Sequence, residues 1–287
     1  MNAITDLFQN IAEFRQMVSG ISANLEFSEL NSSAISARKQ IRNIITSDLW
    51  NQIKSETDSD AHLYLSNAFA NLIMHKALIF DVIAKRMSGT ADVYKHELES
   101  MRRQYIDDYF NAMDSLIQEL SENDAYSEKW RASSDYKLID ELKIKTTAEF
   151  NSFYGIDMSY LFFFRSISIQ REILLDGISD TFVKAVERED LTKKLKLALS
   201  HLVVAMAITR FDIIELPATI RSLFDEQKTS RSGSDEQNRI LALASELRGN
   251  AMNIISGVEL ALSEPDTSDI VSETSMNREE DKIYLIS

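Results

Sequence analysis

At 287 residues the chain is long enough for one large domain or two small ones, and its 44% apolar content supports a sizeable core, which excludes global disorder. It contains no cysteine, which excludes disulfides, thiolate metal sites and cysteine nucleophiles. A net charge of −14 argues against a dedicated nucleic-acid binder, which needs Lys and Arg to displace counterions from phosphates, yet suits a surface past which DNA slides without sticking.

Turn residues are scarce, with only 7 Gly and 2 Pro. No Asn-Gly or Asp-Gly turn sits between alternating apolar runs, and no sustained period-2 pattern occurs. These features predict an all-α fold: a multi-helix bundle of long helices with irregular connections and a flexible C-terminal tail. Residues 1–18 carry Asp6 and Glu13 and lack the basic start and unbroken apolar run of a secretory leader. No uncharged stretch is long enough to span a bilayer, so no membrane association is expected.

Residues 2–18 read as an amphipathic helix, with Ile4, Leu7, Phe8, Ile11, Phe14 and Met17 at helical spacing. It serves either as a core helix or as an arm docking on a neighbouring subunit, with Phe8 and Phe14 as the contact residues. Residues 19–33 read as a loop anchored by Leu25, Phe27 and Leu30, and Ser32 or Ser33 caps a helix running to about Ile53. An Ala- and Leu-rich central helix is expected over 60–87. The longest helix is expected over 92–122, where Asp107, Asp108, Asp114 and Glu119 read as a solvated face. Residues 123–145 read as the main irregular connection, anchored by Tyr126, Trp130 and Tyr136. Within it, 138–144 is either a helical turn or a short extended piece.

The densest aromatic cluster follows, from Phe150 to Phe164. Thr146-Thr147-Ala148-Glu149 reads as a capping box. Gly155 supplies a left-handed residue that ends that helix, and Asp157 caps the next, which continues from 158 toward Asp176-Gly177. Trp130, Phe150, Gly155, Asp157, Phe163 and Phe164 are therefore the expected core and corner of the fold. Residues 191–223 read as one long helix that Pro217 kinks or breaks after Leu216. Ser234–Gln237 is a second capping box, opening a helix to about Leu262. The tail, 263–287, has no helical period and includes Ile283, Tyr284, Leu285 and Ile286, a quartet with β character. It either docks on another surface as a strand or plug, or folds back on its own domain. The resulting division is an arm (1–20), a helical domain (21–262) with sub-bundles 21–122 and 146–262 joined by 123–145, and a tail (263–287). Phe80-Asp81-Val82-Ile83 is echoed by Phe211-Asp212-Ile213-Ile214, a faint hint of two related halves.

Chemistry is sparse. None of His62, His75, His96 and His201 sits in a Glu-x-x-His or His-Glu-x-x-His pattern. His75 and His201 lie in apolar helices, where a lone His is a core residue. Asp58-Ser59-Asp60 opens like a calcium loop but lacks the Gly and Glu that complete one. No P-loop, dinucleotide fingerprint or Gly-x-Ser-x-Gly elbow is present. No catalytic, cofactor-binding or metal-binding residue is expected, and the chain does not read as an enzyme.

Several features occur in an order that resembles a family of all-helical virion proteins. They are a Phe27 anchor before Ala34-Ile35-Ser36-Ala37-Arg38, then Ile44-Ile45 with Leu49-Trp50, and the Ala68–Leu72 helix. The Trp130-Arg131-Ala132-Ser133 loop, the Thr146–Phe150 helix start and Phe163-Phe164 ahead of Ile169-Gln170-Arg171-Glu172 follow. The family belongs to tailed phages and prophages of Bacteroidales, including crAss-like phages, and its members look like head–tail connector, adaptor or ring proteins. The resemblance covers a little over half of the chain, and its motifs are structural. It implies a virion subunit made in the host cytoplasm and placed at the head–tail junction. Its partners would be itself in a cyclic homo-oligomer, the portal protein and other ring or tail proteins, with DNA passing through unbound. The alternative is a non-catalytic helical interaction module of a prophage or mobile element.

Overall fold

The computed structural model describes residues 3–20, 25–87, 95–225 and 233–263. The architecture is all-α, with no strand among the described residues. A 3-10 turn at Ala3–Asp6 leads into α1 (Ile11–Met17). Asn10 caps this helix by accepting from the Ala12 and Glu13 N–H groups, and Glu13 returns to the Gln9 N–H at 2.7 Å. α2 (Phe27–Ile45) and α3 (Ser47–Ser55) follow. The single helix expected from Ser32 or Ser33 to Ile53 is thus corrected at both points. α2 begins at Phe27, so Ser33 lies within it and is buried, and the helix breaks at Thr46, whose φ is 71°. Thr46 ends a β-branched run of poor helix formers, and its hydroxyl accepts from the Leu49 N–H instead.

α4 (Asp60–Met87) and α5 (Lys95–Glu122) form a long antiparallel pair, tied midway by the His75 ring against the Arg102 carbonyl at 3.2 Å. The Tyr126 hydroxyl bonds Glu56 at 2.5 Å, placing the start of α4 beside the end of α5. The stretch expected to be irregular is mostly helical. Asn123 caps α6 (Asp124–Arg131), followed by α7 (Ser134–Lys137) and a 3-10 turn at Leu138–Glu141. A cap and a buried Tyr126/Trp130 pair four residues apart suffice to hold so short a helix against α5.

α8 (Thr147–Phe153) begins as expected, with the Glu149 N–H donating to the Thr146 hydroxyl at 3.1 Å. α9 (Tyr160–Ile173) runs through a distorted turn, Leu174–Ile178, into α10 (Ser179–Lys184). α11 (Glu189–Arg210) packs along α13 (Gly233–Ser263), with α12 (Ala218–Asp225) between them in sequence. The expected break at Pro217 occurs earlier. α11 ends at Arg210, where Phe211 turns back to pack on Phe162 and under the Arg165 guanidinium, and the Pro217 carbonyl opens α12. α13 starts one residue ahead of the second capping box, whose side chains lie outside the described residues.

Two hydrophobic cores result. The first gathers the 3–18 segment, α2–α6 and Leu161; the second gathers α8–α13. The Phe80–Ile83 echo is not a matching position in the two halves, because 80–83 lies inside α4 whereas 211–214 lies where α11 has ended.

Candidate functional site

The two cores meet along a seam built from α5, α6 and α9. Asp114 of α5 is its polar centre. Its Oδ1 accepts from the Ser159 hydroxyl at 2.7 Å and from the Leu161 N–H at 2.9 Å, so a side chain of the first half satisfies the open start of a helix in the second. Ser159 in turn caps α9 by accepting from the Phe162 N–H at 3.1 Å. Burial pushes the Asp114 carboxyl above its ordinary range, opposed by these hydrogen bonds. The Tyr160 hydroxyl donates to Glu122 at 2.6 Å, which, with burial, drives its pKa up to about 12. Arg221 of α12 reaches Asp107 of α5 at 2.5 Å. The run of acids on α5 is therefore not only a solvated face: Asp107 and Asp114, with Glu122 at its end, fasten the halves together. A signal existed for Asp114, which sits four residues after Phe110 and three before Ile117, on an otherwise apolar stripe.

The expected core residues converge here. Trp130 is fully buried, 4.8 Å from the Phe164 ring and 6.0 Å from Tyr136, and both of these side chains pack against both cores. Phe150 meets Phe162 and Phe163 edge-on at 6.1 and 6.4 Å. Between Trp130, Phe163, Phe164 and the start of α8 lies a cavity of about 220 Å³.

The corner differs from expectation. Gly155 is not left-handed; Asp157 and Met158 are, both with φ of 54°. Asn151 enforces this, since its Oδ1 accepts from the Ile156 and Met158 N–H groups at 2.9 and 3.2 Å. Asp157 does not cap α9, a task Ser159 performs. Its carboxylate instead accepts from the Thr219 N–H at 2.8 Å and from the Thr219 hydroxyl, capping the start of α12.

Phe8 and Phe14 lie within the first core, 5.2 Å apart and edge-on, with Phe8 stacked on Phe69. The single helix expected over 2–18 is corrected: a 3-10 turn at Ala3–Asp6 and α1 are separated by an extended Asn10, whose side chain caps α1, and both pieces pack into the first core, which leaves neither ring exposed. Ile283, Tyr284, Leu285 and Ile286 lie outside the described residues.

Among the described residues no group of three or more His, Asp or Glu side chains could hold a metal ion, and no helix is long and apolar enough to cross a membrane. His201 packs edge-on against Tyr154 at 5.7 Å, and burial holds its pKa below the ordinary histidine value. The arrangement is one that can hold, brace and bind. No protein-family model, curated protein or solved structure matches the chain.

Proposed function

We propose that the chain is a structural virion subunit, a head–tail connector or adaptor that closes into a homo-oligomeric ring between portal and tail. The observation that carries this reading beyond the resemblance is the distribution of exposed large apolar side chains. Met158, Leu175, Val183, Val186, Leu223, Leu241, Met252 and Leu260 all belong to the half built on the second core, against Ile35 and Leu63 in the rest of the described chain. Apolar surface concentrated on one half is what a subunit offers to neighbours. Two long helical pairs fastened at a seam supply the rigid wedge that a closed ring of head-to-tail contacts requires. The net charge of −14 lets DNA pass without adhering. In this reading the chain carries no catalytic residue, and its partners are copies of itself, the portal protein and other ring or tail proteins.

Native mass spectrometry of the full chain, alone and mixed with portal protein, tests the proposal. Closed rings, or rings appearing on addition of portal, are expected. A chain that stays monomeric in both conditions overturns the connector role and favours a free-standing interaction module.

A further inference from the structure

α13 carries a second line of side chains besides the one it buries. Leu247, Ala251 and Val258 turn into the second core. On the side away from them, Leu241, Met252 and Leu260 are 54%, 56% and 63% exposed. Ser245, Gly249 and Ser256, also exposed, lie between them. The six follow one another at steps of four, four, three, four and four residues, the spacing that holds one face of a 3.6-residue helix. A methyl added at Gly249 would meet nothing within 4 Å, so the middle of the face is open. Spacing and residue types read the same in either direction: Leu, Ser, a Gly/Met centre, Ser, Leu. Such a face is self-complementary. Turned about a two-fold axis that crosses α13 between Asn250 and Ala251, it sets Leu241 of one protomer level with the partner's Leu260. Ser245 then meets the partner's Ser256, and Gly249 meets the partner's Met252, whose larger side chain enters the space that the glycine leaves. Charge agrees with this pairing. Arg248 and Glu259 lie along the same edge of the face, and Arg248 of one protomer comes to about 9 Å along the axis from the partner's Glu259, within reach of two extended side chains.

We propose that this face of α13 binds a second copy of the chain, pairing α13 antiparallel with the same helix of its partner across a two-fold axis. The contact is isologous, with the same patch on both sides. The face is about 29 Å long at 1.5 Å per residue. A single helix pair of that length lies at the small end of specific interfaces, so a reversible pair is expected. Leu175, Val183, Val186 and Leu223 lie on other elements. The two-fold pair therefore goes beyond the head-to-tail ring contact and does not depend on it.

The chain contains no cysteine, so introduced thiols report on this one contact whether or not rings form. Full-length Ser245→Cys and Ser256→Cys chains, mixed and oxidised, should form a covalent dimer about tenfold faster than either variant alone, because pairing raises the local thiol concentration only in the mixture. Between two copies of one variant the thiols stand roughly 16 Å apart along the axis, beyond the roughly 7 Å that a disulfide spans. Gly249→Met in both chains should slow the crosslink about tenfold by setting Met against Met at the centre. Adding Met252→Gly should restore it, because the small and large residues merely exchange sides. Both positions are exposed, so each variant keeps its core. Equal rates for the mixture and the single variants, or a doubly exchanged face that stays uncrosslinked, would overturn the pairing. Absence of the mixed dimer would do so too and, if the Ser256→Cys thiol also resists alkylation, would assign the face to the chain's own residues 264–287. Rings in native mass spectrometry without this crosslink would sink the pairing and leave the connector reading standing.

Discussion

Asp114 and Asp6 are both partly buried carboxylates, but they respond to pH in opposite senses because their partners differ. Asp114 has only neutral donors, Ser159 and the α9 backbone, so burial prevails and its pKa is raised above the ordinary 3.8. The folded chain then keeps this proton to higher pH than the unfolded chain. The contribution of Asp114 to stability is full below 3.8 and declines as pH rises through its native pKa. At Asp6 burial also acts upward, but Lys54 and Arg38, each at 2.7 Å, outweigh it and hold the pKa below 3.8. Its contribution is present above that value and lost as pH falls through the native pKa. Urea midpoints across the acid range should reveal this: Asp114→Asn should remove a decline toward higher pH and Asp6→Asn a decline toward lower pH. Parallel profiles for the two variants would refute the assignment. At neutral pH, Asp114→Ala should destabilise by about 1–3 kcal/mol, the penalty of leaving the Ser159 and Leu161 donors unpaired. Asp114→Asn, which keeps an acceptor, should cost less. From the sequence, the charge and its place on an apolar stripe of α5 were legible, but the donors that meet it were not, since they come from the start of α9, 45 and 47 residues away.

At the scale of elements, the corners rather than the helices required the structure. The extents of α4 and α13, and the N-terminus of α8, follow from apolar period and caps, which are local properties of the chain. The corner after α8 does not. Two consecutive non-glycine residues sit in the left-handed region, each at a cost of about 1–2 kcal/mol, because the Asn151 amide and the Asp157–Thr219 contact hold them there. Asn151→Ala should therefore lower unfolding stability by about 1–3 kcal/mol in urea titration, because two backbone N–H groups of the corner lose their acceptor. Gly155, the natural choice from sequence, has no need of glycine's freedom, whereas Gly177, at φ 117° inside the α9–α10 turn, does. Gly177→Ala should cost about 1–2 kcal/mol on the same measurement even though no atom obstructs the new methyl, because the penalty is torsional. A neutral result at Gly177 would mean that the turn relaxes to a right-handed path.

For the whole molecule, the seam decides whether two cores behave as one. Each core has enough buried aliphatic and aromatic surface to be a folding unit, and they share Tyr136, Phe164, the Asp114 bonds and the Arg221–Asp107 pair. A single calorimetric transition is expected for the wild-type chain. Phe164→Ala combined with Arg221→Ala should split it into two, since a partly buried ring that packs on both cores and a cross-half ion pair are lost together while each core is left intact. One unsplit transition in the double variant would place the coupling elsewhere. The sequence by itself determined the all-α class, most of the long helices and the aromatic core around Trp130 and Phe150–Phe164. Helical period, scarce Gly and Pro and cap chemistry are written in neighbours a few residues apart. Only the tertiary structure decided that Phe8 and Phe14 are core residues and that the acids of α5 fasten the halves. Each of those depends on burial and partners supplied by residues tens of positions away, which no local pattern encodes.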